Sequence, residues 1–255
     1  MYLKLKTIIT LTISAFLFIT SAKADTIQVA VASNFKSTMM VLAQQYEAQS
    51  KHEILVSSGS TGKHYAQITN GAPFDFFFAA DSGHPKQLEK QGVGVRGTRY
   101  TYAIGRLVLW GAGTAPINVE TLVSNNFKYI SLANPLLAPY GRAAEETINK
   151  LDLSVALQSK KVTGENVIQA LQFVATGNAD IGFVGLSQIR NINKFENDSY
   201  WLIPQEYYSP IEQQAIVLKD KQANHDFLTF MQSETARKII LTAGYAVPPV
   251  INSYD

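Results

Sequence analysis

Ser33-Asn34, Ser57-Ser58-Gly59-Ser60-Thr61-Gly62 and Ala138-Pro139-Tyr140-Gly141 place hydroxyls, an amide and small residues where helices should begin. The first two follow apolar strand patterns at Ile27–Ala32 and Ile54–Val56, and neither carries a charge. A helix N-terminus exposes unpaired N–H groups and a partial positive charge. Several such ends meeting in one cleft make a neutral, donor-rich anion site. Serine, threonine and tyrosine hydroxyls add donors that rotate to suit their acceptor. The chemistry these residues offer is the capture of a small oxyanion.

Alternating strands and helices must position those segments. Phe35, Met39, Leu42, Ala43 and Tyr46 recur at helical spacing, so Ser33 or Asn34 is expected to cap a helix. A strand over Glu53–Val56, a helix from Thr61 to about Thr69 and a buried strand over Phe74–Ala79 follow. With a helix near Pro85–Gln91 they make a βαβαβ opening, which implies a parallel sheet covered by helices on both faces. Arg106–Trp110 starts a new strand, and the rhythm repeats through Tyr129–Ala133, a helix over Gly141–Lys150, a helix over Asn166–Thr176, and Ile181–Val184. Gln214–Leu218 reads as a returning strand, and helices over His225–Gln232 and Glu234–Thr242 end the fold. Crossovers near Tyr102–Gly105 and Pro210–Gln213 predict two lobes, 25–104 plus 213–255 and 105–212. Ligands of open α/β sheets sit beyond the carboxyl ends of the strands, here in the cleft between lobes.

The first residues predict export. Lys4 and Lys6 precede an apolar stretch from about Ile8 to Ile19, and Ala22-Lys23-Ala24 offers a small-residue cleavage site before Asp25. This is a signal-peptide pattern over 1–24, and a periplasm is the expected destination. Lys4, Lys6 and Lys23 lie before the cut and no acid does, so cleavage takes the formal charge from +2 to −1. No basic stripe is left to suggest nucleic acid. The chain has no cysteine, which excludes disulfides, thiol catalysis and cysteine-held metals.

Val31-Ala32-Ser33-Asn34-Phe35, the Ser57–Gly62 loop, Asn70-Gly71-Ala72-Pro73-Phe74-Asp75 with Phe78-Ala79-Ala80-Asp81, and Asn134-Pro135 with Ala138-Pro139-Tyr140-Gly141 occur in that order. Ala179–Val184 and Gly244-Tyr245 continue the pattern. The ordered set resembles the periplasmic molybdate-binding proteins of ABC importers. The resemblance implies an α/β, two-lobed periplasmic binding protein fold of type II. Each lobe would be a mostly parallel sheet flanked by helices. It implies that Ser33, Asn34, Ser60, Thr61, Tyr140 and the backbone N–H of Val167 hold molybdate, or tungstate, with no free metal cation and no cofactor. It also implies a monomer that delivers its ligand to a membrane permease and catalyses nothing. The chain departs from the pattern at Val184-Gly185-Leu186, where some relatives place a tyrosine.

Other readings of the same residues stay open. Sulfate and phosphate receptors share the fold; hydrogenphosphate carries a proton and gains from a carboxylate acceptor, which neither first-lobe anion loop contains. Adjacent Tyr207-Tyr208 could serve a ferric-ion receptor, or simply pack at the return crossover. His52, His64, His84 and His225 fall in no metal-ligand spacing, and His64 reads as a surface residue. A secreted hydrolase would need a nucleophile elbow, and no Gly-x-Ser-x-Gly occurs. Asp75 is expected to satisfy nearby backbone or a helix dipole, and Asp81 to form a turn or cap. Glu165 should point outward. Arg142, the one cation near these loops, reads as a solvated surface residue that could tune the cleft.

Overall fold

A computed structural model describes residues 24–113, 116–190 and 199–248. The expected signal peptide therefore lies outside the described residues, apart from Ala24. The chain opens with β1 (Thr26–Ala32), α1 (Lys36–Glu47), β2 (Glu53–Gly59), α2 (Thr61–Thr69), β3 (Phe76–Phe78), α3 (Gly83–Lys90) and β4 (Tyr100–Gly105). It crosses into β5 (Leu107–Gly111), α4 (Val119–Val123), β6 (Ile130–Ala133), α5 (Pro139–Lys150), α6 (Ser154–Leu157), β7 (Lys161–Gly164), α7 (Val167–Ala175), β8 (Ile181–Gly185), α8 (Leu186–Arg190) and β9 (Tyr200–Leu202). It returns through β10 (Ile211–Val217) to α9 (Gln222–Met231) and α10 (Glu234–Thr242).

Two five-stranded sheets result, ordered β2-β1-β3-β10-β4 and β7-β6-β8-β5-β9. In each, the strands joined by helices pair in parallel: β1 with β2 and β3, and β6 with β7 and β8. The strands next to the crossovers pair antiparallel, β10 with β3 and β4, and β5 with β8 and β9. Parallel strands need helical crossovers, and those helices bury both sheet faces. The run Phe76-Phe77-Phe78 shows this. Phe76 and Phe78 pack with Phe35, Met39, Leu42 and Phe227 on one face, while Phe77 packs with Ile68, Leu88 and Ile216 on the other. A separate core around Trp110, Leu132, Ile148 and Phe183 holds the second sheet.

Several local expectations are corrected. Neither Ser33 nor Asn34 caps a helix through its side chain; Ser33–Phe35 form a 3-10 turn that feeds α1. Ser57, Ser58 and Gly59 extend β2 rather than forming a loop, because they continue the ladder opposite Ala30, Val31 and Ala32. The aromatic strand is shorter than Phe74–Ala79, since Phe74 and Asp75 turn into it. The expected crossover near Tyr102–Gly105 is itself a strand, β4, paired with β10. His64 is not at the surface. It is buried beneath Gly59, edge-on to Phe74 and Phe77, with Nδ1 3.0 Å from Gln67 Oε1.

Candidate functional site

The three expected helix starts converge. Ala32, Ser33 and Asn34 after β1, Ser60 and Thr61 after β2, Ala138–Tyr140 at the start of α5 and Val167 at the start of α7 line one cavity, with Ala80 at its wall. Ser33, Asn34, Ser60, Thr61, Tyr140 and Val167 are thus brought together from both sheets. The space is small, with a cavity volume of about 10 Å³. Pockets that take organic ligands run to about 300–1,000 Å³. No lining residue carries a charge.

Donors dominate the lining. Ser60 Oγ is buried and has no hydrogen-bond partner. Thr61 Oγ1 accepts from the Ala80 N–H at 3.0 Å, which leaves the Thr61 hydroxyl hydrogen to donate. Asn166 caps α7, and its Oδ1 accepts from the N–H groups of Ile168 and Gln169. The cap therefore serves those two amides and not that of Val167, the first of the helix. Pro139 opens α5 with its φ already set for a helix and no N–H to leave unpaired. Gly141 follows because a Cβ there would collide with the Ala133 carbonyl, so the helix start sits hard against the end of β6. Burial pushes the Tyr140 phenol well above its ordinary range, helped by Tyr245 and Tyr208 nearby, so it stays protonated. The His64 imidazole is held below its ordinary value, chiefly by burial, which favours its neutral form behind the β2–α2 turn.

The Val184–Leu186 segment offers no free amide. The Gly185 N–H bonds Gln188 Oε1 at 2.8 Å and the Leu186 N–H bonds the Arg106 carbonyl at 2.9 Å. A Cβ on Gly185 would meet the Tyr140 ring at 3.1 Å, so that ring fills the space.

Charges stand at the rim. Lys63 Nζ meets Glu165 Oε1 at 3.0 Å, and Arg142 meets Asp81 Oδ2 at 3.0 Å; each pair joins one sheet's elements to the other's. Glu165 thus points away from the cavity, and Arg142 has a partner rather than water alone. The Gly62 N–H donates to the Leu137 carbonyl at 3.0 Å between them. Asp81 also accepts from the His84 N–H at 3.0 Å, in the turn ahead of the Ser82 N-cap of α3. Asp75 accepts from the Gln28 N–H at 2.8 Å and meets Lys221 at 3.1 Å. Tyr208 packs at the return crossover and its hydroxyl accepts from the Leu107 N–H at 3.2 Å. Among the described residues no group of histidines and carboxylates could hold a metal ion, and no helix is long and apolar enough to cross a membrane.

The family model for bacterial extracellular solute-binding proteins matches residues 27–246. The chain belongs to that family. It is 43% identical to the molybdate-binding protein ModA of Azotobacter vinelandii over 92% of this chain and 95% of that one. It is 38% identical to ModA of Rhodobacter capsulatus over 88% of this chain and 89% of that one. The solved periplasmic molybdate-binding protein of Azotobacter vinelandii superposes with a TM-score of 0.82 at 40% identity, covering 87% of this chain and 99% of that one. The expected two-lobed α/β binding-protein fold is the fold of that relative.

What the sequence did not reveal is the polar cluster behind the cavity. Gln213 on β10 is wholly buried and hydrogen-bonds Asn34, Tyr102 and Tyr140. Tyr245 bonds Asn34 and Ser187. The only sequence signal was Gln213-Gln214 inside an apolar strand pattern, where a buried amide needs partners.

Proposed function

We propose that this cavity binds molybdate, and tungstate of matching size and charge, in the periplasm, and that the closed protein delivers the ion to an ABC permease. One observation carries the reading. Ser33, Asn34, Ser60, Thr61, Tyr140 and Val167, from both sheets, enclose a single charge-free cavity too small for an organic ligand. A tetrahedral dianion without a proton wants donors only, and this lining offers hydroxyls and helix-start N–H groups. Hydrogen bonds to a charged partner contribute about 1.5–3 kcal/mol each. A ligand of about five heavy atoms at the ceiling of about −1.5 kcal/mol per atom reaches roughly −7.5 kcal/mol, a micromolar Kd. The names of the relatives at 43% and 38% identity favour molybdate over sulfate or phosphate.

The lobes of this reading are 25–104 with 213–255, and 105–212, hinged at the two crossovers. The ion binds one lobe first, and contacts made only on closure shift the population to the closed form. The protein acts as an exported monomer, without cofactor or catalysis, and the molybdenum is held as its oxyanion. Thermal unfolding with molybdate, tungstate, sulfate, phosphate and ferric citrate tests this, because a ligand of the native state raises Tm. A large rise with the first two alone is expected. A response to sulfate or phosphate alone changes the ligand, a response to iron alone moves the site, and no response refutes the reading.

A further inference from the structure

Behind the cavity, the direction of each hydrogen bond can be worked out from one end. The Tyr245 hydroxyl lies 2.8 Å from the Asn34 carbonyl oxygen. A carbonyl only accepts, so the Tyr245 hydrogen is on that bond. The Tyr245 oxygen must then accept from its other neighbours, Ser187 Oγ at 2.8 Å and the Asn34 side chain at 3.1 Å. The atom Asn34 turns toward Tyr245 is therefore its nitrogen, Nδ2. That NH₂ group also reaches Gln213 at 2.8 Å, so Gln213 must present its oxygen, Oε1. The single Tyr102 hydrogen is shared between the Ala79 carbonyl at 3.0 Å and this oxygen at 3.1 Å. With Oε1 assigned, Gln213 Nε2 faces the Tyr140 hydroxyl at 3.5 Å and can only donate to it.

We infer that Gln213 is a positioning residue that sets the polarity of Tyr140: by donating to the phenol oxygen, it leaves the phenol hydrogen for the oxyanion. The inference rests on the oxyanion reading of the cavity and deepens it. The chain of hydrogen bonds runs from a backbone carbonyl, through two carboxamides, to a residue lining the cavity. Reversing Gln213 alone would set its nitrogen against that of Asn34, and reversing Asn34 alone would set its oxygen against that of Gln213. Room for the Tyr140 ring is made by Gly105 on β4 and Gly185 on β8, since a Cβ on either would press on the ring or its hydroxyl. Gln213 and Asn34 thus tie the first anion turn to the tyrosine of the other lobe. A site polarised this way presents no acceptor from Tyr140, so it disfavours an oxyanion that brings its own proton.

The test replaces Gln213 with glutamate and measures molybdate and phosphate binding by calorimetric titration near neutral pH. A carboxylate accepts from Asn34 as the amide does, but it takes the Tyr140 hydrogen. The phenol then shows the cavity a lone pair. Molybdate affinity is expected to fall about ten- to hundredfold, while hydrogenphosphate, which can donate to that lone pair, loses less. The ratio of the two affinities therefore shifts toward phosphate. Added negative charge or a merely disturbed core would weaken both dianions alike, and proportionate losses, or none, overturn the inference. A double-mutant cycle of Gln213→Met and Tyr140→Phe, read with molybdate alone, decides the case where the glutamate variant does not fold or phosphate binds too weakly to titrate. If Gln213 acts through Tyr140, the double variant binds molybdate like Tyr140→Phe alone; additive losses overturn the inference. A wild-type chain that binds neither oxyanion overturns the oxyanion reading as well.

Discussion

Replacing Thr61 with valine separates two roles that one hydroxyl plays. Valine keeps the shape of threonine and removes only the oxygen. In the free protein that oxygen accepts the buried Ala80 N–H at 3.0 Å. Losing it leaves a buried donor unpaired, at a cost of about 1–3 kcal/mol. For a chain of this size each kcal/mol moves Tm by about 2–4 °C, so the free variant should melt about 2–12 °C lower. The second role is donation to the oxyanion, worth about 1.5–3 kcal/mol of affinity, or about 10- to 150-fold in Kd.

Both roles appear in one melting experiment with and without molybdate. At a ligand concentration about 1,000 times the wild-type Kd, binding stabilises the wild type by about 4.1 kcal/mol; a tenfold weaker variant gains only about 2.7 kcal/mol. The ligand-induced rise should then shrink by about 3–6 °C. Thr61→Ser retains acceptor and donor and should behave like wild type in both respects. A valine variant that melts lower yet responds to molybdate as strongly as wild type would show that Thr61 only braces Ala80. That result would refute its place among the ligands.

Three further outcomes are expected. Gly141→Ala drives a methyl into the Ala133 carbonyl, and overpacking of this kind costs about 1–3 kcal/mol, so both Tm and molybdate affinity should fall as the start of α5 is displaced. Burial pushes the Asp81 carboxyl up, but the His84 ring and the Arg142 guanidinium outweigh it and hold it below its ordinary value of 3.8. Its contribution to stability is therefore complete above that value and lost as pH falls through the lowered one; the Tm gap between wild type and Asp81→Asn should close in acid below 3.8. Glu165→Gln removes a half-exposed pair with Lys63, worth no more than about 1 kcal/mol, so molybdate affinity should drop at most several-fold, and less at high salt than at low salt in parallel titrations.

The helix starts were legible because their physics is local. A strand pattern ending in serine, threonine, asparagine or glycine and followed by helical spacing marks an N-terminus wherever it occurs. Ser33, Ser60 and Tyr140 could be placed at such ends without knowing the fold. Convergence was legible only through the resemblance, because it depends on which strands become neighbours. Short edge elements escaped notice: Lys161–Gly164 and Tyr200–Leu202 carry too few residues to show a period. His64 was misplaced because its helix is polar at most positions, and its burial comes from contacts with Phe74 and Phe77, which arrive from another part of the chain. Asn34 lines the cavity, and the hydrogen bonds of its NH₂ group to Gln213 and Tyr245 were not legible. Those partners lie 179 and 211 residues away, beyond any local pattern.

The placement of charge explains how a neutral cavity can still close firmly on a dianion. A cation inside would add attraction but also bind any anion, whereas fixed N–H and O–H dipoles demand a matching geometry. The charges sit outside, and each lobe supplies one of each sign: Lys63 and Asp81 from the first, Arg142 and Glu165 from the second. Across the rim they sum to zero, so they neither draw in nor repel the ion at long range. Their effect depends on register. In this structure each cation meets a carboxylate at 3.0 Å. A closure displaced along the rim would separate both pairs together and pull the Gly62 N–H from the Leu137 carbonyl between them. Solvent exposure keeps the Lys63–Glu165 pair weak, which suits a receptor that must reopen to release its ion. The tight selection is left to the hydroxyls and amides within, whose directions the buried Gln213 and Asn34 amides hold in place.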